Sequence, residues 1–188
     1  MKLESLLEEP LEIEIPDYML NDPEFVGYPD LEIQTAIYRW VANDIRSDVK
    51  DFGCGRGDFS KYFNQTDYYG IDSNPIKIKV ARKKYNSQFI ESNWFDVKFP
   101  TSHTVFIGSL NEHIDDDKWS YFDNALKHAL NVTTDSVIFV LNTDDNGYTY
   151  YPIDELVKHI PAWNPYTIDC SVFEGICKLV VFVKKFEH

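Results

Sequence analysis

Three stretches of this sequence place chemically versatile side chains at the ends of short apolar runs. The first, Val49-Lys50-Asp51-Phe52-Gly53-Cys54-Gly55-Arg56-Gly57-Asp58-Phe59, runs from an alternating segment into a turn with three glycines. Glycines there let the backbone turn sharply and let a ligand approach without interference from a Cβ. Dinucleotide-binding turns follow the pattern GxGxxG, whose last glycine falls where this chain has Asp58. A pyrophosphate beside Asp58 would be repelled, whereas a cofactor that carries cationic groups and no phosphate suits a turn flanked by Asp51 and Asp58. The second stretch, Tyr69-Gly70-Ile71-Asp72, sets a carboxylate roughly 20 residues after the turn, where it can accept hydrogen bonds from both hydroxyls of a ribose. The competing role for Asp72, ahead of Asn74-Pro75, is to cap the helix that follows. The third, Gly108-Ser109-Leu110-Asn111-Glu112-His113, ends another apolar run. His113 is the residue there whose pKa suits proton transfer near neutrality, Glu112 is second, and Asn111 can orient an acceptor. Capping a helix that begins near Asp115 is the plainer use of Glu112 and His113.

These groups need a frame, and the hydrophobic pattern supplies one. Alternation marks five short strands at 49–53, 68–71, 88–91, 104–107 and 137–141. Helix-compatible stretches at 58–64, 75–85, 116–130 and 154–160 lie between and after them, and 92–103 is less regular. Alternating β and α elements predict a parallel sheet with helices on both faces. The end differs: 166–173 and 176–186 read as strands joined by a tight turn at Glu174-Gly175, an antiparallel hairpin. The expected fold is therefore α/β, a single Rossmann-like domain with a mostly parallel seven-stranded sheet. Ahead of the sheet, Asp30 is a plausible N-cap for a helix whose buried stripe is Ile33, Ala36, Ile37, Trp40, Val41 and Ile45. Residues 1–29 form an acidic N-terminal arm with Pro10, Pro16 and Pro23, in which only Leu11, Ile13 and Ile15 alternate like a short strand. Residues 30–188 make up the domain.

Composition narrows the function. The net charge is −13, yet residues 1–32 hold ten acidic side chains against one lysine, so the remainder carries only −4. An acidic balance disfavours electrostatic capture of nucleic acid. The one basic cluster, Lys77, Lys79, Arg82, Lys83 and Lys84, falls on an expected helix and reads as a solvated face. No apolar run reaches the roughly 18 residues of a membrane helix, and the N-terminus lacks the character of a signal peptide, so a cytoplasmic location is expected. Cys54, Cys170 and Cys177 are too few and too irregularly spaced for a zinc site or a disulfide framework. Cys170 and Cys177 can approach each other across the terminal hairpin, though two buried, reduced thiols are the simpler expectation. No metal is implied.

Over residues 30–186 the sequence resembles the class I S-adenosylmethionine-dependent methyltransferases. The acidic residue followed by Gly53-Cys54-Gly55-Arg56-Gly57 is similar to that family's signature at the end of the first strand. The resemblance implies that S-adenosylmethionine, and its product S-adenosylhomocysteine, would be held by Asp51, Gly53, Cys54, Gly55, Gly57, Asp72, Ser73 and Gly108. Ile90-Glu91-Ser92-Asn93-Trp94-Phe95-Asp96 resembles the stretch after the third strand, which implies adenine contacts from the Asn93 side chain and the Trp94 backbone. The family usually has Asp where Asn93 stands, an amide oxygen can accept the same hydrogen bond, and Asp96 is a rival. Gly108 to Ile114 resembles the turn that faces the methyl group and the acceptor. The family's base-methylating members carry Asn/Asp-Pro-Pro-aromatic there; this chain has Ser109-Leu110-Asn111-Glu112, which disfavours nucleic-acid bases as acceptors. The polar, tyrosine-rich run from Asn142 to Tyr151 lies on the same side of the sheet and reads as a wall of the acceptor site.

The resulting expectation is an enzyme that transfers a methyl group in line to a small-molecule acceptor. A non-catalytic cofactor-binding partner subunit has the same signature, since a fold and a cofactor loop do not establish turnover. A protein or nucleic-acid methyltransferase is the third alternative. The acceptor atom and the oligomeric state leave no trace in the sequence.

Overall fold

The computed structural model of the chain describes residues 15–22, 24, 27–111, 117–143, 149–159, 167–173 and 175–183. The strands are β1 (Val49–Phe52), β2 (Tyr68–Asp72), β3 (Gln88–Glu91), β4 (Thr101–Ile107), β5 (Thr133–Asn142), β6 (Thr167–Phe173) and β7 (Ile176–Phe182). They form one sheet in the order β3-β2-β1-β4-β5-β7-β6. The first five run parallel, while β7 pairs antiparallel with both β5 and β6. The strand order therefore reverses between β1 and β4, where the connections leave to opposite sides and a crevice opens at the strand ends.

Alternation along β5 shows how one strand serves two layers. Val137, Phe139 and Leu141 point into a core shared with α4 (Lys118–Asn131) and α5 (Ile153–His159), through Phe122, Ala125, Leu126 and Leu156. Ile138 and Val140 point into the opposite core with α2 (Leu31–Ala42) and α3 (Pro75–Lys84), through Ile37, Val41, Ile78 and Ala81. Helices thus cover both faces, as an alternating β/α sequence requires.

Local signals explain the helix starts. The Asp30 side chain accepts from the Ile33 N–H at 2.8 Å and begins α2. Asn74, not Asp72, caps α3, accepting from Ile76 N at 2.9 Å and Lys77 N at 3.2 Å with Pro75 in the first turn. The side chain of Asp117 caps α4 at Trp119 N.

Several elements differ from the sequence expectation. The helix expected at 58–64 is a short 3-10 segment, Asp58–Tyr62. Strands β4 and β5 begin earlier, at Thr101 and Thr133, because buried threonines extend them: Thr104 Oγ1 and Thr133 Oγ1 lie 2.6 Å apart. Ala36 is exposed, and Gln34 and Tyr38 take the buried positions on α2 beside Ile37 and Val41. In the arm, Leu11 and Ile13 lie outside the described residues. Ile15 is buried and leads into a one-turn helix, α1 (Asp17–Asn21), rather than a strand.

Gly57 shows what holds the glycine turn against the sheet. Its φ is +77°, and a Cβ there would lie 2.5 Å from the Phe89 ring and 3.2 Å from Ala81 Cβ. Both neighbours are buried, Phe89 on β3 and Ala81 on α3. Gly57→Ala should therefore cost about 1–3 kcal/mol by overpacking, read as a lower urea midpoint with an unchanged slope. A midpoint equal to the parent's would show that the turn rearranges freely.

Candidate functional site

The ends of β1, β2 and β4 converge at the point where the strand order reverses. The turn after β1 is pinned to β2, with Gly53 N and Cys54 N both donating to the Ile71 carbonyl at 2.8 and 3.0 Å. One residue later, Gly55 N donates to Asp72 Oδ2 at 2.9 Å. The other oxygen of Asp72 accepts from Asn74 N at 2.8 Å. Asp72 thus organises two backbone turns at once, at the end of β2 where the strand order opens the crevice.

Across the crevice, Gly53 faces Ser109. A Cβ on Gly53 would lie 2.3 Å from Ser109 Cβ, so only glycine fits, at a φ of +77°. Ser109 Oγ is buried and has no hydrogen-bond partner among the described residues. An unsatisfied buried hydroxyl costs free energy unless a ligand or water completes it. Nothing in the sequence singled out Ser109, which sits one position beyond the expected Gly108.

Two carboxylates flank the turn, and their environments are opposite. Asp58 is buried among donors: Arg56 Nε, Lys84 Nζ at 2.7 Å and the Tyr85 hydroxyl at 2.5 Å. Burial works against its charge, but these hydrogen bonds outweigh it and hold the carboxyl below its usual value. The structure thereby corrects the expectation that Asp58 meets a ligand cation, since its oxygens are already taken by the chain's own cations. The same network removes Lys84 from the expected solvated face of α3, and Arg82 leaves it too, donating to the Phe89 carbonyl at 2.8 Å. Asp51 has no such cation. Its Oδ2 accepts from the Tyr68 hydroxyl at 2.5 Å, yet burial pushes its pKa up to about 7, against that hydrogen bond and with help from the Asp72 charge.

The remaining expected residues separate into groups. Cys54 turns its thiol into the core beneath the turn, where the Sγ would lie 2.9 Å from a Cβ on Gly70, leaving only its backbone for a ligand. Gly57 likewise serves packing. Ser73 is exposed beside Asp72. Asn93 is exposed, with its side-chain oxygen already accepting from Phe95 N at 3.0 Å, and Asp96 is exposed on the same short turn. The Trp94 ring packs on Phe52 and Phe106 and is half-buried. Asn111 braces the crevice: its Oδ1 accepts from Asn142 N at 3.1 Å and its carbonyl from Thr149 N at 3.3 Å. Glu112 and His113 lie outside the described residues, as do 144–148 of the tyrosine-rich run. Tyr151 of that run is not a wall. It is fully buried against Trp119 and Phe122, its hydroxyl donating to the Leu110 carbonyl at 3.2 Å.

Tyr28, from the end of the arm, is a second residue the sequence did not single out. Its hydroxyl lies 3.9 Å from where a Cβ on Gly108 would sit, and its ring meets Tyr38 edge-on at 5.6 Å. Burial, reinforced by the Asp51 charge, raises its pKa, so it acts as a neutral phenol. An aromatic in an acidic, proline-rich arm carries no signal of such a destination. The described residues contain no group of three or more side chains placed to hold a metal ion.

Comparison with known proteins agrees with this geometry. Residues 49–133 match a family model described as a methyltransferase domain. Among solved structures, the SAM-bound magnesium protoporphyrin IX methyltransferase ChlM from Synechocystis PCC 6803 aligns with a TM-score of 0.64 and 12% identity, over 89% of this chain and 94% of that one. The PH0226 protein from Pyrococcus horikoshii OT3 aligns with a TM-score of 0.65 and 15% identity, over 92% and 100%. DhpI in complex with SAH gives a TM-score of 0.66 and 19% identity, over 85% and 88%. No curated protein matches the sequence.

The state of Asp51 can be tested in the ligand-free protein. An unfolded aspartate titrates near about 3.9, whereas Asp51 in the fold titrates at about 7. Between these values the folded state keeps a proton that the unfolded state releases, so this residue's contribution to stability falls as pH rises. Relative to the parent, Asp51→Asn should gain thermal stability as pH is raised across that window and level off above it. Parallel melting curves for the two proteins would show Asp51 to be ionised throughout.

Proposed function

We propose that this chain, whose residues 49–133 match a methyltransferase-domain model, is a class I S-adenosylmethionine-dependent methyltransferase and transfers a methyl group to a small-molecule acceptor bound at the ends of β1 and β4. The observation that carries this reading is the junction of Gly53 and Ser109. A turn too close for any Cβ and an orphaned buried hydroxyl meet where the strand order reverses.

The residues present fit the cofactor. Asp72 would accept from the ribose hydroxyls while keeping Gly55 in place. Asn93 and the Trp94 backbone would meet the adenine. Asp51, held near neutrality by burial, would ionise as a cationic group arrives, so binding would release a proton near pH 7. When bound, S-adenosylmethionine supplies an electrophilic methyl on a cationic sulfur. The chain's task is then to hold the acceptor atom about 3 Å from that carbon, in line, and to exclude water. Tyr28, Ser109 and the amide group of Asn111 offer neutral hydrogen-bonding groups beside Gly108 for that orientation. His113, with Glu112 second, is the base where the acceptor must lose a proton.

The small-molecule class rests on the acidic balance of the chain and the missing base-methylating motif. The magnesium protoporphyrin IX methyltransferase, by its name, acts on an acceptor of that size. Among the described residues no helix is long and apolar enough to cross a membrane, and we place the protein in the cytoplasm. Calorimetry with S-adenosylmethionine, S-adenosylhomocysteine and a nicotinamide dinucleotide tests the cofactor, and methyl-labelled cofactor incubated with fractionated small metabolites tests the transfer. Dinucleotide binding without a response to either sulfur compound would overturn the assignment.

Asp72→Ala should weaken S-adenosylhomocysteine binding by about 1.5–3 kcal/mol, the scale of charge-assisted hydrogen bonds. Asp72→Asn, which keeps an acceptor for Gly55 N, should recover part of the loss. Unchanged affinity in both variants would confine Asp72 to the backbone turns.

The arm would act as a lid. Arg56 Nη1 donates to the Asp22 carbonyl and Lys84 Nζ to the Leu20 carbonyl at 2.6 Å, so the end of α1 is tied to the glycine turn and to α3. Tyr28 continues from this latch to Gly108. Deleting residues 1–27 should lower the melting temperature by only a few degrees yet speed cofactor release or alter turnover. Outright unfolding would make the arm core structure, and unchanged kinetics would make it a tail.

A further inference from the structure

We propose that Cys170 and Cys177 form a reversible disulfide, a redox-responsive modification site on the terminal hairpin at the edge of the sheet. The register of the terminal hairpin sets Cys170 opposite Leu179 and Cys177 opposite Val172. The two cysteines are therefore diagonal neighbours on one face. Their sulfurs lie 3.0 Å apart with both thiols free. A small side-chain rotation closes that gap to the bonded distance of about 2.05 Å.

Exposure fixes the order of events. Cys170 lies on the edge strand β6 and is exposed, whereas Cys177 is fully buried on β7. Burial and the neighbouring Cys170 raise the pKa of Cys177, which suits a partner that reacts second and only at close range. With a small-molecule disulfide such as oxidised glutathione as oxidant, the Cys170 thiolate attacks one sulfur and expels one thiol, leaving a mixed disulfide. The Cys177 thiolate then attacks the Cys170 sulfur, the protein disulfide forms and the second thiol leaves. Two protein thiols have been oxidised and one small disulfide reduced to two thiols. In a reducing compartment the pair returns to thiols, so the cross-link is a response to oxidant rather than a permanent brace.

The hairpin tip links this site to the crevice. Cys177 pairs with Leu141 and Ile176 with Asn142, at the end of β5 where Asn142 N donates to Asn111 Oδ1. Thr143 N donates to the Gly175 carbonyl at 2.9 Å. The loop enclosed by the cross-link spans only 171–176, so oxidation stiffens the tip and the edge strand locally rather than the whole domain.

The test uses the full chain treated with oxidised glutathione, then denatured and alkylated with N-ethylmaleimide. Intact mass should show three alkylations before treatment and one after, with the remaining label on Cys54 and a linked peptide joining Cys170 to Cys177. Cys54 is a built-in control, since burial and the Asp51 and Asp72 charges raise its pKa. Dithiothreitol should restore all three labels. Cys177→Ser should stop at a glutathione adduct on Cys170, and Cys170→Ser should leave Cys177 unmodified in the native protein. Amide exchange across 167–173 should slow at least tenfold on oxidation in the parent and not in either variant. Three labels after treatment, a parent protein arrested as the Cys170 adduct, or a cross-link between two chains would each overturn the proposal.

Discussion

The buried carboxylate of Asp58 ties together the glycine turn, the end of α3 and the arm. It gathers Arg56 from the glycine turn with Lys84 and Tyr85 from the end of α3, and the same two cations reach on to the carbonyls of Leu20 in α1 and Asp22 just after it. Taking these charges out of water is costly, and the arrangement persists because every ion is met by more than one partner. One consequence is that a turn rich in glycine, which would otherwise be loose, is backed by an ion cluster and has little freedom left to lose when a ligand binds. Asp51, seven positions earlier, is the complement. Having no cation of its own, it is held near neutrality and is the carboxylate that an incoming positive charge would ionise.

The strand order supplies the second constraint. Because β2 and β4 flank β1 on opposite sides, the turns that follow β1 and β4 face each other without an intervening connection. Gly53 and Ser109 are consequently in contact, and any side chain on Gly53 would force the two turns apart. Asn111 and Gly108 carry the same order to β5 through Asn142 N and the Val140 carbonyl. The crevice is thus framed by backbone hydrogen bonds on three strands, a more rigid base for a site than a loop alone.

What the sequence disclosed, and what it did not, follows from the range of the interactions involved. The alternation that marks the seven strands, the cap at Asp30 and the run of glycines after β1 are patterns among residues within a few positions of one another, whereas the cap of α4 is Asp117 and not the Glu112-His113 pair the sequence suggested. The partners of Asp58 lie 26 and 27 positions away in Lys84 and Tyr85, so the carboxylate looked free when it was not. Tyr151 reads as one more residue of a polar run, and only the packing of Trp119 and Phe122 shows it to be core. Ala36 fits the helical period on α2, but the neighbouring elements bury Gln34 and Tyr38 instead. Tyr28 and Ser109 acquire meaning only once the arm and the end of β4 are brought to Gly108.

The character of the groups around Gly108 bears on the chemistry. Tyr28 is kept neutral chiefly by burial, Ser109 is a hydroxyl, and Asn111 is an amide whose oxygen is engaged. On the proposed reading these groups orient an acceptor rather than remove its proton, and methyl transfer from a sulfonium asks for little more, because the leaving group departs without protonation. A rim of neutral groups also leaves the sulfonium's charge for Asp51, deeper in the site, to balance. Burial raises the Asp51 pKa to about 7, so part of the population is neutral in the empty protein and an arriving cation would shift it toward the ionised form.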